Sequence, residues 1–162
     1  MSKQLANNMF WLETPITKFY EALGCVSDGR VKKLSEDSFL VTASTWNKRY
    51  KVTYHHNEQA ITSNDNSSYY VGYLGYPGIA TLLFLDVITY DSRFGELLRG
   101  VNWKALNQSN NNNFDKTVSD LLSQMTASEA LELQDYIKGL KVNFDNLQLK
   151  KLGKTQVPAK YD

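Results

Sequence analysis

Residues 69–90 read YYVGYLGYPGIATLLFLDVITY, and this stretch decides the fold. Its first part combines four tyrosines with three glycines spaced three residues apart, and glycine lets one backbone segment approach another closely. Its second part, residues 79–90, is apolar nearly all round, which is typical of a buried central helix. We therefore expect the first part to cross a sheet and the second to pack on that sheet as a helix, which Pro77 and Gly78 begin.

The residues before this stretch predict the sheet. Residues 38–44 and 49–56 alternate between apolar and polar side chains, as half-buried strands do. Weaker strand patterns occur in residues 31–34 and 59–63, and the breaks between the four segments are short enough for hairpins. We therefore predict a four-stranded antiparallel β-meander whose third strand has a basic, solvent-exposed face.

The N-terminal part predicts an arm followed by a helix. Residues 1–13 are expected to be weakly ordered, except that residues 9–12 are large and apolar. Such a group is expected to dock on its own domain or against another subunit. Thr14 and Pro15 suit the N-cap and the first position of a helix, and residues 16–23 carry an apolar stripe at helical spacing.

The C-terminal part predicts several helices and a tail. Asp91 and Asn102 are suited to cap short helices, and residues 114–125 have apolar side chains at helical spacing. Residues 126–129 read TASE, which matches a capping box and starts a last helix. Beyond that helix, residues 147–162 form a basic tail that is expected to be weakly ordered.

Together these segments predict a single α+β domain over residues 1–162. A four-stranded antiparallel meander is packed on one face by a buried central helix and several C-terminal helices. The chain is 42% hydrophobic, has a net charge of +1 and contains one cysteine. This composition is that of a globular protein and excludes a disordered, fibrous or disulfide-stabilised chain.

The sequence predicts a cytosolic protein that does not enter a membrane. Residues 1–14 lack the positively charged and apolar regions of a secretory signal. The longest apolar stretch, residues 79–88, has about half the length needed to span a bilayer. The single cysteine also excludes an internal disulfide.

Metal and cofactor chemistry have little support in the sequence. A structural zinc site needs four Cys or His ligands, but the chain has one cysteine and two histidines. His55 and His56 are adjacent, so a strand directs them to opposite faces. The glycines in residues 72–78 lack the spacing of a nucleotide-binding loop, which favours close packing over phosphate binding. We predict no metal and no cofactor.

The sequence also lacks an activated nucleophile. No Gly-x-Ser-x-Gly elbow and no Ser-x-x-Lys motif is present. Cys25 lies near the C-terminal end of the first predicted helix, where the negative end of the helix dipole disfavours a thiolate. We therefore expect Cys25 to be buried and inert.

Aromatic residues outline a candidate ligand pocket where the meander meets the central helix. Tyrosine combines an apolar ring with a polar tip, which suits a pocket wall, a contact surface or an aromatic core. Asp86 falls within the predicted buried helix, so its carboxylate would be desolvated and would need a partner such as His56. That pair could perform acid–base chemistry, whereas a structural ion pair is the simpler interpretation. The candidate pocket residues are Tyr50, Tyr54, His56, Tyr70, Tyr73 and Asp86.

A basic, aromatic sheet face is the feature that could bind single-stranded nucleic acid. Acidic residues occur in the same hairpins and the sequence pI is only about 7.8, so nucleic acid is not an expected partner. The face would be formed by Arg30, Lys32, Lys33, Trp46, Lys48, Arg49 and Lys51.

The leading functional interpretation is a non-enzymatic protein that acts by protein–protein contact as a homo-oligomer. Spare aromatic residues, the apolar segment around Trp11 and the lack of a catalytic motif favour it. The alternatives are a small-molecule-binding or acid–base pocket, and weak binding of single-stranded nucleic acid.

Overall fold

The computed structural model describes residues 9–158. Residues 1–8 of the predicted arm and residues 159–162 of the predicted tail lie outside the described residues. The fold is α+β, as predicted, with a mostly antiparallel sheet and several helices.

Within residues 9–158, five strands form the sheet in the order in which they occur along the chain. The first four pair as antiparallel neighbours, which confirms the predicted meander; Val41 lies opposite Tyr50, and Tyr54 lies opposite Ile61. The strands are β1 (Val31–Lys33), β2 (Ser38–Thr42), β3 (Arg49–His55), β4 (Ala60–Ser63) and β5 (Lys150–Lys151).

The fifth strand corrects the predicted strand count. Lys150 and Lys151 pair in parallel with Ala60 and Ile61 of β4. The Lys150 N–H donates to the Gln59 carbonyl at 3.0 Å, which starts this pairing. Two residues are too few to show an alternating pattern, so only the tertiary pairing reveals β5. The start of the predicted tail is therefore part of the sheet.

The helices follow the predicted order. The predicted caps are confirmed at Asp91 and Asn102, which accept backbone N–H groups, and at Thr126 and Glu129, which form a reciprocal capping box. After residue 16 the chain forms α1 (Thr17–Ser27), a π-helical turn (Ser67–Val71), α2 (Tyr76–Phe84), α3 (Ser92–Glu96), α4 (Trp103–Ser109), α5 (Phe114–Ser123) and α6 (Ala127–Leu147).

The core lies between the sheet and the helices. Helix α2 contacts each of β1 to β4, as expected for the central helix. Helix α1 packs against α2 and also contacts α3, α5 and α6. Residues 17–25 of α1 are all buried, so this helix is enclosed by its neighbours on every side, and its polar side chains are enclosed with it.

Helix α1 begins later than predicted. It starts at Thr17, and no side chain caps it. Thr14, the predicted N-cap, is fully buried and its hydroxyl donates to the Leu74 carbonyl at 3.0 Å. This bond joins the segment before α1 to the segment that crosses the sheet. Helix-capping rules describe neighbouring residues only, so they do not predict such a long-range contact.

Helix α2 ends earlier than predicted, and Asp86 is the reason. Asp86 has a left-handed backbone with φ of 58°. Its N–H donates to the Leu83 carbonyl and the Val87 N–H donates to the Leu82 carbonyl, which is the Schellman pattern that closes a helix. Asp86 is exposed, so the predicted desolvated carboxylate is wrong.

The segment before α1 docks on the sheet. The Trp11 indole N–H donates to the Ile61 carbonyl at 3.2 Å, and Leu12 N–H donates to the Gly72 carbonyl at 3.0 Å. Trp11 is partly buried against the core, which confirms the predicted docking on the protein's own domain, whereas Phe10 and Leu12 stay exposed. Within the described residues, none of the helices has the length and apolar character needed to cross a membrane.

Candidate functional site

A cleft of about 220 Å³ opens where α1, the β2–β3 hairpin, the start of α2 and α4 meet. We call it the polar cleft because three lysines and two carboxylates contribute to its lining. Its lining residues are Lys18, Glu21, Ala43, Ser44, Thr45, Lys48, Tyr50, Asp65, Asn66, Ser67, Tyr76, Trp103, Lys104 and Asn107.

Glu21 and Lys18 form a buried charged pair on one wall of the polar cleft. They stand three residues apart on α1, with Lys18 Nζ 3.8 Å from Glu21 Oε2, and their side chains are each only 8% exposed. Asn107 of α4 donates from Nδ2 to Glu21 Oε1 at 3.0 Å. Lys18 Nζ also lies 3.9 Å from the centre of the Phe114 ring. Charged groups persist in a protein interior only when they are paired in this way.

Asp65 organises the turn on another wall of the polar cleft. Its carboxylate accepts from the Ser63 hydroxyl at 2.5 Å and from the Ser68 hydroxyl and N–H at 2.7 and 3.2 Å. Ser68 Oγ in turn accepts the Gly75 N–H at 3.1 Å. These bonds hold the π-helical turn against the start of α2.

The glycine at position 75 is required by this arrangement. A Cβ built on Gly75 would lie 2.0 Å from Asp65 Oδ2, far inside van der Waals contact. Gly75 therefore lets the backbone pass directly beside a buried carboxylate. This agrees with the predicted role of the glycines in close packing. A phosphate bound at these glycines would need hydrogen-bond donors, whereas the group beside Gly75 is a carboxylate, which is an acceptor.

Aromatic rings form the apolar part of the polar cleft. The Tyr50 and Tyr76 rings meet edge to face, with centroids 6.2 Å apart. Burial raises the pKa of the Tyr76 hydroxyl well above its ordinary value, so this group is a neutral hydrogen-bonding group. Trp103 is only 4% exposed, and its indole nitrogen has no hydrogen-bond partner among the described residues.

Lysines reach the polar cleft from two more directions. Lys48 follows the turn of the β2–β3 hairpin and is buried, with Nζ 5.3 Å from the centre of the Tyr50 ring. Lys104 lies on α4 beside Trp103 and is half-buried. A buried lysine is uncommon in proteins.

The structure separates the residues of the predicted aromatic pocket. Tyr50 lines the polar cleft, whereas Tyr70 is 71% exposed and Asp86 is exposed beyond the end of α2. Tyr54 and His56 do come together, with the Tyr54 hydroxyl 3.1 Å from His56 Nδ1.

The remaining member, Tyr73, belongs to the crossing segment. Its hydroxyl accepts from Ser67 Oγ at 3.2 Å, and it is half-buried. Sequence reasoning missed Lys18, Glu21 and Asn107, the charged wall of the polar cleft. The i,i+3 spacing of Lys18 and Glu21 is visible in the sequence, but their burial depends on the helices that enclose α1.

The predicted basic sheet face is smaller in the structure. Arg30 is buried, with Nη1 donating to the Thr42 carbonyl at 2.8 Å and Nε to Asp28 at 3.2 Å. Lys48 lines the polar cleft instead of the outer face. Lys32, Arg49 and Lys51 remain exposed.

Cys25 is fully buried, as predicted. Burial raises the pKa of its thiol to about 12, which keeps it protonated at neutral pH. Within residues 9–158, no cluster of three or more His, Cys, Asp or Glu side chains is placed to hold a metal ion.

A second surface feature is the apolar patch, formed by Leu12, Tyr69, Tyr70 and Val71. All four side chains are exposed, and the Tyr69 and Tyr70 rings meet edge to face at 4.9 Å. Leu12 joins the patch because its backbone pairs with Gly72, directly after the π-helical turn. Exposed apolar residues that cluster in this way are a common feature of interaction sites.

These features define an α+β protein with a charged, aromatic-walled cleft and an exposed apolar patch. The chain belongs to the family described as uncharacterised conserved protein UCP014422, whose model matches residues 11–150. The matched region contains every residue that lines the polar cleft. No curated protein and no solved structure matches the chain.

Proposed function

We propose that the protein binds a small molecule in the polar cleft. The observation that carries this proposal is the presence of four buried charged residues in the wall of one cleft: Lys18, Glu21, Lys48 and Asp65. Burying charges costs stability even when they are paired, and we take their concentration in the wall of one cleft as the sign of a binding site. Like the pocket predicted from the sequence, this cleft contains Tyr50, but it does not contain Asp86.

The shape of the site supports this proposal. Ligand sites are concave, with apolar walls and a few placed polar groups. The polar cleft has aromatic walls from Tyr50, Tyr76 and Trp103, and its charged groups come from four separate parts of the chain. Groups on separate rigid elements can be held in a fixed arrangement around a ligand.

The test is an NMR screen of the labelled protein against small polar fragments. The backbone N–H signals of Ser67 and Lys104, two lining residues, report on the polar cleft, and we expect some fragments to shift them saturably. Ser44→Phe places a ring in the cleft and should weaken those fragments at least tenfold. Ser38→Phe adds the same ring on β2 away from the cleft and should not. If no fragment shifts the signals of Ser67 and Lys104, the proposal is wrong.

A second candidate function is self-association through the apolar patch, which follows the homo-oligomer predicted from the sequence. The specific observation is that the exposed Leu12 pairs through its backbone with Gly72 and Tyr73, directly after the three exposed residues of the π-helical turn. A stable dimer buries about 800 Å² on each partner, and an aromatic side chain supplies about 150–250 Å² of that. The apolar patch would therefore form the centre of a larger interface.

Light scattering after gel filtration tests this candidate. We expect a mass above that of one chain at high concentration, and a lower mass for the double variant Tyr70→Ser/Val71→Ser. Leu131→Ser is the control, since Leu131 is an exposed apolar residue on α6. A monomer at every concentration would remove the candidate. For both candidate functions we propose a cytosolic location, which the single cysteine favours.

A further inference from the structure

A second concave feature, a groove of about 590 Å³, lies where α1, α5 and α6 meet, and we call it the helix groove. Its lining shares no residue with the lining of the polar cleft, so the two features are separate. The volume falls within the roughly 300–1,000 Å³ that is typical of sites for small molecules.

The helix groove has a buried, mostly apolar floor and an exposed, polar rim. Tyr20 of α1 and Val118 of α5 are 5% and 8% exposed, and they form the floor. Ile16 and Leu122 are half-buried beside them, whereas Ser119 on the rim is exposed. Sites for small molecules have the same composition, with apolar walls and a few polar groups.

Two hydroxyl groups of the floor lack a hydrogen-bond partner. The Tyr20 hydroxyl makes no hydrogen bond within the described part of the chain, although this side chain is 95% buried. Thr17, which also lines the groove, is equally buried, and its Oγ1 has no partner either. Buried polar side chains are hydrogen-bonded in the large majority of cases, so two exceptions in one floor indicate that an acceptor from outside the chain belongs there.

The surroundings of the Tyr20 hydroxyl favour an uncharged acceptor. Burial raises the pKa of this hydroxyl above its ordinary value, and no charged side chain among residues 9–158 contributes to the shift. Tyr20 is therefore a neutral donor in uncharged surroundings. The charged lining residues, Asp115 and Lys138, are exposed on the rim. A carboxylate or ammonium group beside Tyr20 would lose its hydration without gaining a counter-ion.

We infer that the helix groove binds a small, uncharged, mostly apolar molecule that presents a carbonyl or ether oxygen to the Tyr20 hydroxyl. The oxygen would accept the hydrogen bond that the phenol lacks, and the apolar part would pack on Ile16, Val118 and Leu122. This second site goes beyond the function proposed for the polar cleft and does not depend on it.

The experiment compares three probes of similar size by NMR titration of the labelled protein. Acetophenone has an aromatic ring and a carbonyl group, ethylbenzene lacks the oxygen, and benzoate carries a charge. The backbone N–H signals of Ser119 and Leu122 report on the helix groove. We expect acetophenone to shift them saturably, and ethylbenzene and benzoate to bind about fivefold or more weakly.

Variants locate the acceptor at Tyr20. Because Tyr20→Phe removes a hydroxyl without a partner, it should fold; it should weaken acetophenone about fivefold or more and leave ethylbenzene unchanged. Tyr70→Phe is the matched control, since Tyr70 is 71% exposed and lies outside the groove. Ser119→Phe adds a ring to the rim and should weaken both probes. Ser128→Phe adds the same ring to an exposed position of α6 outside the lining and should not.

Three outcomes would overturn the inference. Acetophenone could fail to bind, or it could bind no more tightly than ethylbenzene or benzoate. Tyr20→Phe could bind acetophenone as tightly as wild type. The Ser119 and Leu122 signals could shift with protein concentration in the absence of any probe, which would assign the groove to a second copy of the chain. The signals of Ser67 and Lys104 report on the polar cleft separately, so each of these failures is distinguishable from a failure of the proposed function.

Discussion

Asn107 and Glu21 stand 86 positions apart in the sequence, yet Asn107 Nδ2 lies 3.0 Å from Glu21 Oε1, both residues being buried. This bond connects α4 to α1 in the wall of the polar cleft. It supplies an otherwise desolvated carboxylate with a second partner besides Lys18, so the shape of the cleft wall and the stability of the fold depend on the same contact.

Asn107→Ala should therefore destabilise the protein, because it removes one donor from a buried charge. Hydrogen bonds to charged groups contribute about 1.5–3 kcal/mol, and we expect a loss of free energy of unfolding in that range. Urea denaturation measures it, and Asn143→Ala on the exposed side of α6 should stay within about 0.5 kcal/mol of wild type.

A double-mutant cycle with Glu21→Met, which removes the acceptor and keeps a side chain of similar length, isolates the pair from other effects of each substitution. The expected coupling energy is favourable and about 1 kcal/mol or more. A coupling energy near zero would show that the bond between Asn107 and Glu21 does not stabilise the protein.

Gly75→Ala should destabilise the protein because the added methyl group collides with Asp65. The nearest atom is the end of a side chain, but Asp65 is buried and fixed by its bonds to Ser63 and Ser68, so it cannot move aside. Forcing an extra methyl group into a packed site costs about 1–3 kcal/mol.

Gly139→Ala is the matched control for this substitution. Gly139 is exposed within α6, and a Cβ there meets nothing within 4 Å. Replacing a glycine inside a helix by alanine should stabilise the protein by about 0.5–1 kcal/mol. Thermal or urea unfolding of the two variants should therefore give shifts of opposite sign, and equal shifts would contradict the packing of Gly75 against Asp65.

Cys25 should resist alkylation in the native protein. Its thiol is fully buried and its pKa is raised to about 12, so iodoacetamide at pH 8 should label it only when the chain unfolds. Mass spectrometry should show little label in buffer and complete label in denaturant. Rapid labelling of the native protein would contradict this burial.

Because of the Cys25 thiol, the free energy of unfolding should depend on pH in the alkaline range. Its pKa rises from 9.0 in the unfolded chain to about 12 in the folded protein, so the stabilisation is fully present below pH 9 and is lost as the pH rises towards 12. The slope from this group is at most about 1.4 kcal/mol per pH unit. Between these pH values the free energy of unfolding should fall less steeply for Cys25→Ala than for wild type. Parallel pH curves for the two proteins would contradict the raised pKa of Cys25.

Substitutions of Asp86 test whether its left-handed backbone conformation ends α2. Because its φ is 58°, Asp86→Gly should keep or raise the free energy of unfolding, whereas Asp86→Ala should lower it by about 1 kcal/mol. Both variants remove the carboxylate, so equal effects on unfolding would mean that the charge matters and the backbone conformation does not.

Much of the fold follows from local patterns. The alternation in residues 38–44 and 49–56 predicts β2 and β3, and Asp91, Asn102 and Thr126 predict helix starts, because each signal acts within a few residues. The end of α2 escapes prediction because Asp86 takes a conformation that glycine usually occupies at this position.

The candidate site is less visible in the sequence. Tyr50 is predicted as a pocket residue and lines the polar cleft, but Lys18 and Glu21 look like an ordinary exposed pair on a helix. Arg30 and Lys48 have the sequence context of exposed basic residues and are nevertheless buried. In each case the burial is decided by elements distant in sequence, which local patterns do not describe.

Strand β5 has a consequence for how copies of this protein can meet. By pairing with β4, it covers one edge of the sheet, and the opposite edge is β1, where Lys32 and Lys33 are exposed. Positive charges on an edge strand repel a second copy that would add there as another strand. At the other edge, β5 is only two residues long and Lys150 also pairs with Phe10, so neither edge offers a long, flat strand that a second copy could extend.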